Sequence, residues 1–239
     1  MISRQLCALQ LKTKQDFASN LSAVAALVQK TALDAIILTP EVVFTGFCYQ
    51  RMEEASEFSK RATESLLAIS RDRSIITTMI EKNGNHFFNN LKVFHKGEVI
   101  HKQSKCKLFL LGEEHLHFSA GDVEEIVPFF IDGIACGALN CFELRFITLW
   151  QRVHQAEIIF VPAQWAKARK DHYETLSKAL AITSESFVVA SNSANDQMAK
   201  GSGIITPYGL VYRNDKKELV TLNADLSEVG KMRKYIYMA

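Results

Sequence analysis

Six short apolar runs, rich in β-branched residues and separated by amphipathic stretches, constrain this chain more than any other feature. Runs 6–11, 35–38, 74–80, 133–139, 158–161 and 187–191 read as buried strands. Between the first two, segment 16–30 places Phe17, Leu21, Val24, Leu27 and Val28 on one helical face. Segments 53–69, 144–154 and 171–182 read as further helices. Lys96-Gly97, Asp132-Gly133 and Pro207-Tyr-Gly209 carry hairpin-turn chemistry between strand-like runs. Strands alternating with helices, plus hairpins, predict an α/β layered fold with a mixed sheet. Two of the strands run directly into proline, in Leu38-Thr-Pro-Glu41 and Val161-Pro-Ala-Gln164. The chain must leave the sheet there, and ligand sites gather at such carboxyl ends. No linker, repeat or charge block interrupts the pattern, so residues 1–239 read as a single domain.

Composition narrows the function classes. A length of 239 residues buries a substantial core, and 48% hydrophobic with 23% charged residues is ordinary for a soluble globular protein. A net charge of +2 offers no reason to expect nucleic acid or an anionic membrane as partner. The basic clusters Lys102-Gln-Ser-Lys105-Cys-Lys107 and Lys167-Ala-Arg169-Lys170 read as solvated loops or small anion sites. Five cysteines without a CxxC pair argue against a disulfide framework or a structural zinc site. No secretory leader pattern is visible, and no stretch approaches the ~20 apolar residues that span a bilayer. The expected location is a reducing cytoplasm.

Three residues stand where chemistry is plausible. Cys141 lies at the end of the run Gly133-Ile-Ala-Cys-Gly-Ala-Leu-Asn140, directly before the helix-prone Phe142-Glu-Leu-Arg-Phe146. A sulfur at a helix N-terminus is favoured as thiolate, the nucleophilic form, although a free cysteine is also a common core residue. Glu41 follows Pro40 at a strand end, as a loop residue or a general base. Lys105 precedes the apolar Leu108-Phe-Leu-Leu111, where a solvated lysine is the commoner outcome. Among lesser candidates, His115 and His117 alternate as ligands on a strand would, but lack acidic or cysteine partners at metal-site spacing. Cys136 falls on the face of its strand opposite Cys141 and reads as core, and Cys106 as packing.

Together these segments resemble the nitrilase, or carbon–nitrogen hydrolase, superfamily, which uses a Glu–Lys–Cys catalytic set. Leu38-Thr-Pro-Glu41-Val-Val-Phe-Thr-Gly46 matches its glutamate segment. Lys105-Cys-Lys-Leu-Phe109 matches the lysine segment, with Lys107 in place of the usual histidine. Asn140-Cys141-Phe-Glu-Leu-Arg-Phe146 matches the nucleophile segment. Further matches are Asn89 or Asn90, Glu114 with Phe118 and Gly121-Asp122, Val161-Pro-Ala-Gln-Trp165, and Ser202-Gly-Ile-Ile-Thr-Pro207-Tyr-Gly209. Ile147-Thr148 replaces a common Pro-Glu, which bears on the pocket wall and so on the substrate.

The resemblance implies a four-layer α-β-β-α sandwich, a cofactor-free and metal-free enzyme, and a homodimer or higher homo-oligomer. It implies Cys141 as nucleophile, Glu41 as base and acid, Lys105 with the Phe142 N–H as oxyanion donors, and Glu114 as an orienting second glutamate. Segment Gln164-Trp-Ala-Lys-Ala-Arg169-Lys-Asp-His172 is similar to the omega-amidase branch, which cleaves terminal amides of small 2-oxo dicarboxylic acid amides. Trp165, Arg169 and His172 then become substrate-pocket candidates, and Arg169 with Lys170 can hold a carboxylate. A carbamoyl amide is the alternative substrate. Two readings of other classes are a non-catalytic ligand- or protein-binding scaffold, and a cysteine protease or acyltransferase pairing Cys141 with His172.

Overall fold

Each of the six runs is apolar on both of its faces, and the four-layer architecture supplies the reason. The computed structural model describes residues 3–237. Strands β1 (Ser3–Leu9), β2 (Ile36–Leu38), β3 (Ser74–Asn83), β4 (His86–His95) and β5 (Glu98–Ser104) belong to one sheet. Strands β6 (Phe129–Ile131), β7 (Ile134–Ala138), β8 (Ile158–Ala163), β9 (Phe187–Asn192), β10 (Gly203–Ile205) and β11 (Val211–Arg213) form the second, and β12 (Leu219–Asp225) returns to the first. The orders are β12-β1-β2-β3-β4-β5 and β11-β10-β9-β8-β7-β6. Each sheet has a parallel trio at its centre, β1-β2-β3 and β7-β8-β9, flanked by antiparallel strands. The predicted mixed sheet is therefore two mixed sheets.

Helices α1 (Phe17–Val28) and α2 (Met52–Ile69) cover the outer face of the first sheet, around Ile37, Ile75 and Phe94. After the single turn α3 (Glu114–His117), helices α4 (Ile147–Val153) and α5 (Lys170–Thr183) cover the second sheet, around Ile159, Val161 and Val188. Helix α6 (Ser227–Tyr237) ends the described chain. Between the sheets lies a third core, where Ile36, Leu38 and Ile76 meet Ile158, Phe160 and Val189. Alternate residues of one strand thus enter different cores, Ile158 and Phe160 one and Ile159 and Val161 another. A strand buried on both sides needs continuous rather than alternating apolarity.

Local signals place the elements. Asp16 caps α1 by accepting the Ser19 N–H at 3.1 Å. Lys96-Gly97 and Asp132-Gly133 turn β4 into β5 and β6 into β7 with all four residues at positive φ. Gly209, at φ +78°, turns β10 into β11. One expectation needs correction. The helix read over 144–154 begins only at Ile147, because residues Cys141–Arg145 form a separate 3₁₀ turn and Phe146 is extended. Among the described residues, no helix is long and apolar enough to cross a membrane.

Candidate active site

The two parallel trios end side by side. Glu41 follows β2, Cys141 follows β7 and Gln164 follows β8, and the Glu41 N–H donates to Ala163 O at 3.3 Å across the sheets. Pro40 takes the chain out of the first sheet, and Val42 holds φ +42°, rare for a β-branched residue. Its N–H is tied to Thr78 Oγ1 at 2.6 Å, and its carbonyl accepts from Gly46 at 2.7 Å. Cys141 is likewise left-handed, at φ +52°. Such outliers each cost about 1–3 kcal/mol and persist only where surrounding contacts enforce them.

Lys105 leaves the end of β5, its N–H bonded to Asn89 O and its carbonyl to the Gly121 N–H, both at 2.9 Å. Its ammonium is fully buried and donates to Glu41 Oε1 at 2.7 Å and Glu114 Oε1 at 2.8 Å. The sequence expectation of a solvated lysine yields to that of a buried one. Asn89 Nδ2 adds a 2.8 Å bond to Glu41 Oε1. Of the two asparagines considered, Asn89 faces the site, whereas Asn90 points to Glu81 on the other face of the sheet. Glu114 Oε2 accepts the Phe109 N–H at 3.0 Å. Glu41 Oε2 is buried and has no hydrogen-bond partner, so one carboxylate oxygen is free to accept a proton. Burial opposes the charge on Lys105, but Glu41, the Cys141 sulfur and Glu114 outweigh it and raise its pKa. Burial raises the Glu114 carboxyl, against the pull of Lys105.

Cys141 Sγ accepts the Gln164 N–H at 3.5 Å, while Gln164 Nε2 donates to Glu41 O at 2.8 Å. Gln164 therefore ties the sulfur to the glutamate segment. Trp165 Nε1 donates to Cys141 O at 3.3 Å. Trp165 is itself set by Asn192 Oδ1, which accepts its N–H at 2.8 Å. The expectation that a helix N-terminus favours the Cys141 thiolate is not met. Burial, then the Glu41 charge, push the thiol well above its ordinary value. A short 3₁₀ turn offers too little dipole to offset complete desolvation. A thiol pushed up in this way calls for a base to make it a nucleophile.

A residue that sequence reasoning left without a role joins these pieces. Glu143 is fully buried and accepts two backbone N–H groups at 2.7 Å, from Asn140 and from Cys106. It clamps the Cys141 turn to the Lys105 loop. Its acidic place two positions after Cys141 was visible, but its partner across the fold was not.

Above Cys141 lies a cavity of about 20 Å³ lined by Phe109, Phe142, Arg145, Gln164, Trp165 and Arg169. Phe142 packs on Phe109 and Phe146 with ring centroids 5.1 and 5.2 Å apart. Arg169 sits over Phe109 at 5.1 Å, and Arg145 over Trp165 at 4.6 Å. Trp165 and Arg169 are thus brought to the pocket. Lys170 is not, since it pairs with Asp215 and Glu174. Arg145, which sequence reasoning passed over, supplies the second cation there. His172 is exposed and meets Arg145 Nη2 at 2.9 Å through Nδ1, away from the buried sulfur. The Cys141–His172 pairing has no support in this geometry. His115 and His117 lie on the helical turn α3 rather than a strand, and His117 stacks on Tyr49 at 4.0 Å. Among the described residues, no group of three or more His, Cys, Asp or Glu side chains could hold a metal ion. Cys136 lies in the core between the sheets and Cys141 in the core beneath α4 and α5.

Comparison with known proteins agrees with this arrangement. A family model described as carbon-nitrogen hydrolase matches residues 4–234. The chain is 28% identical over 233 residues to a 2-oxoglutaramate amidase of Bacillus subtilis, covering 91% of this chain and 88% of that protein. It is 28% identical over 214 residues to the omega-amidase YafV of Escherichia coli, covering 86% and 81% respectively. In structure it is similar to the carbon–nitrogen hydrolase superfamily protein XC1258 of Xanthomonas campestris. That match has a TM-score of 0.85 at 21% identity and covers 98% of this chain and 95% of the other. A buried Glu–Lys–Glu cluster beside a cysteine at the paired strand ends, in a four-layer sandwich that the family model spans almost completely, places the chain in the carbon–nitrogen hydrolase family, as an enzyme that hydrolyses carbon–nitrogen bonds other than peptide bonds.

Proposed function

We propose that the chain is an amidase that releases ammonia from a small linear amide through a thioester on Cys141. The observation that carries this reading is the free Glu41 Oε2 in a cluster whose other oxygen is fixed by Lys105 and Asn89. A carboxylate held on one side and open on the other is suited to shuttle a proton. Glu41 removes the thiol proton as sulfur attacks the amide carbon. The negative charge that develops on the amide oxygen is met by Lys105 Nζ and the Phe142 N–H. Glu41 returns the proton to nitrogen, the C–N bond breaks and ammonia leaves. Glu41 then takes a proton from water, hydroxide adds to the thioester, and collapse releases the carboxylic acid and regenerates the thiol. Glu114 keeps Lys105 aimed at the reacting oxygen.

The relatives named 2-oxoglutaramate amidase and omega-amidase, with Arg169 at the pocket, support an omega-amide of a 2-oxo dicarboxylic acid as the substrate class. The same reading takes the enzyme as cytoplasmic, cofactor-free and a homodimer or higher homo-oligomer, the last tested by sedimentation of the purified chain. Ammonia release is to be measured across simple amides, 2-oxo acid amides and carbamoyl compounds, with Cys141→Ala as blank. Turnover of the 2-oxo acid amides above the blank is the expected result. Preference for carbamoyl compounds would replace the substrate, and no release from any compound would sink the reading in favour of a binding scaffold.

A further inference from the structure

A groove of about 540 Å³ lies on the outer face of the first sheet, over β3, β4 and β5 and beside α2. Asn90 and Ser104 lie at its floor. Each adjoins a residue of the catalytic cluster, Asn89 and Lys105, whose side chains meet Glu41 on the opposite face of the sheet. The groove is therefore separate from the pocket over Cys141.

Its two sides differ in character. On the α2 side stand the ammoniums of Lys60 and Lys82 and the Ser56 hydroxyl. Ser56 Oγ accepts the Lys82 N–H at 3.0 Å and keeps its own proton to donate. Acceptors stand across from them. Glu125, in the turn Val123–Glu125, takes the Ser104 N–H on Oε2 at 2.6 Å and leaves Oε1 open to the groove. Asn90 is buried, and its Oδ1 has no hydrogen-bond partner. The amide cannot simply turn round, because its Nδ2 donates to Glu81 Oε2 at 2.6 Å and the reversed group would set oxygen against carboxylate. A buried orphan acceptor in a native fold calls for a donor.

The charges around the groove balance. Lys60 pairs with Glu57, Lys82 with Glu53, and both Lys92 and Lys102 with Glu81, which leaves Glu125 against the surplus ammonium. A purely cationic or anionic occupant would upset that balance, whereas one carrying both signs would not. Lys60 and Lys82 are held by exposed ion pairs, which are weak, so a carboxylate in the groove can draw them over. An ammonium answers Glu125 Oε1 and Asn90 Oδ1 together. Phe88 adds an apolar surface for whatever lies between.

We propose that this groove binds a zwitterionic α-amino acid with an uncharged side chain, its carboxylate toward Lys60, Lys82 and Ser56 and its ammonium toward Glu125 and Asn90. The site goes beyond the amidase reading and does not depend on it.

The test is calorimetric titration of the full chain with L-alanine and L-leucine, and with propionate and ethylamine, each of which keeps one of alanine's two charged groups. The expected result is one site per chain for the amino acids. Propionate and ethylamine bind at least about tenfold more weakly, as loss of a charge-assisted partner predicts. The double variant Lys60→Ala, Lys82→Ala weakens binding about tenfold or more, and so, separately, does Glu125→Gln. The lysine variant leaves thermal unfolding and ammonia release nearly unchanged, since it removes only exposed ion pairs. No heat from either amino acid at about 10 mM, well above a millimolar Kd, would overturn the proposal. So would propionate or ethylamine binding as tightly as alanine, or binding that survives either set of substitutions. Failure of the wild type to release ammonia from any amide would remove the amidase reading and leave this titration unaffected.

Discussion

A buried ammonium between two carboxylates is costly to build and costlier to break. Lys105 donates to Glu41 and Glu114 with no exposure to water. Lys105→Ala leaves both carboxylates buried without a counter-charge, a loss of about 3–5 kcal/mol. It also removes an oxyanion donor, about 10²–10³ in kcat. Thermal unfolding and ammonia release measure the two effects separately. Cys141 gives a pH prediction of definite sign. Burial and the Glu41 charge hold its thiol well above the ordinary 9.0, so thiolate is scarce at neutral pH. Alkylation of Cys141 by iodoacetamide should rise about tenfold per pH unit from pH 7 to 9 without levelling off. A plateau below pH 8 would mean that the thiolate is the resting form. At this scale the residue types were legible before the fold: Glu41, Lys105, Cys141 and Glu114 were all named from their segments. Their protonation was not, because it depends on neighbours up to 100 positions away, as Glu41 is from Cys141.

Among elements, the turn after β7 and the loop after β5 must be held against each other, and Glu143 does this, while Gly121 packs against the loop after β5. Glu143 accepts from Asn140 and Cys106. Glu143→Gln turns one acceptor oxygen into a donor facing a backbone N–H, which costs about 1–3 kcal/mol. Burial raises the Glu143 carboxyl above its ordinary 4.5, so the folded state holds this proton more tightly than the unfolded chain. Its contribution to stability is present below pH 4.5 and is lost as pH rises through the folded value. Urea unfolding across pH should show this dependence in the wild type and lose it in Glu143→Gln. Gly121 packs so closely that a Cβ would lie 2.4 Å from Ser104 Cβ and 2.5 Å from Ser104 O. Gly121→Ala must push the Lys105 segment aside, at about 1–3 kcal/mol and with a larger proportional loss of kcat than of KM-limited binding. Sequence periodicity merged residues 144–154 into one helix because Leu144 fits the spacing of the helix that follows. Nothing local signals that Glu143 is held elsewhere and that Phe146 is extended.

For the whole molecule, one protein layer serves two cores at once. Phe160 and Ile159, adjacent in β8, enter different ones. Phe160 is fully buried where the sheets face each other. Phe160→Ala should cost about 3–5 kcal/mol and, if residues 1–239 are one cooperative domain, lower the far-UV circular dichroism and tryptophan fluorescence transitions together. Two separated transitions would divide the chain.

By itself the sequence determined the elements and the chemistry-bearing residue types. Strand burial, helix faces and hairpin turns are properties of short stretches, and Cys141, Glu41 and Lys105 lie in segments with their own signatures. The tertiary structure decided which residues share a site. It selected Asn89 over Asn90, replaced Lys170 by Arg145, moved His172 off the sulfur, and pushed the Cys141 thiol up by burying it beside Glu41. Each of those outcomes turns on distance and dielectric across the sandwich, and these exist only once the two sheets have closed on each other.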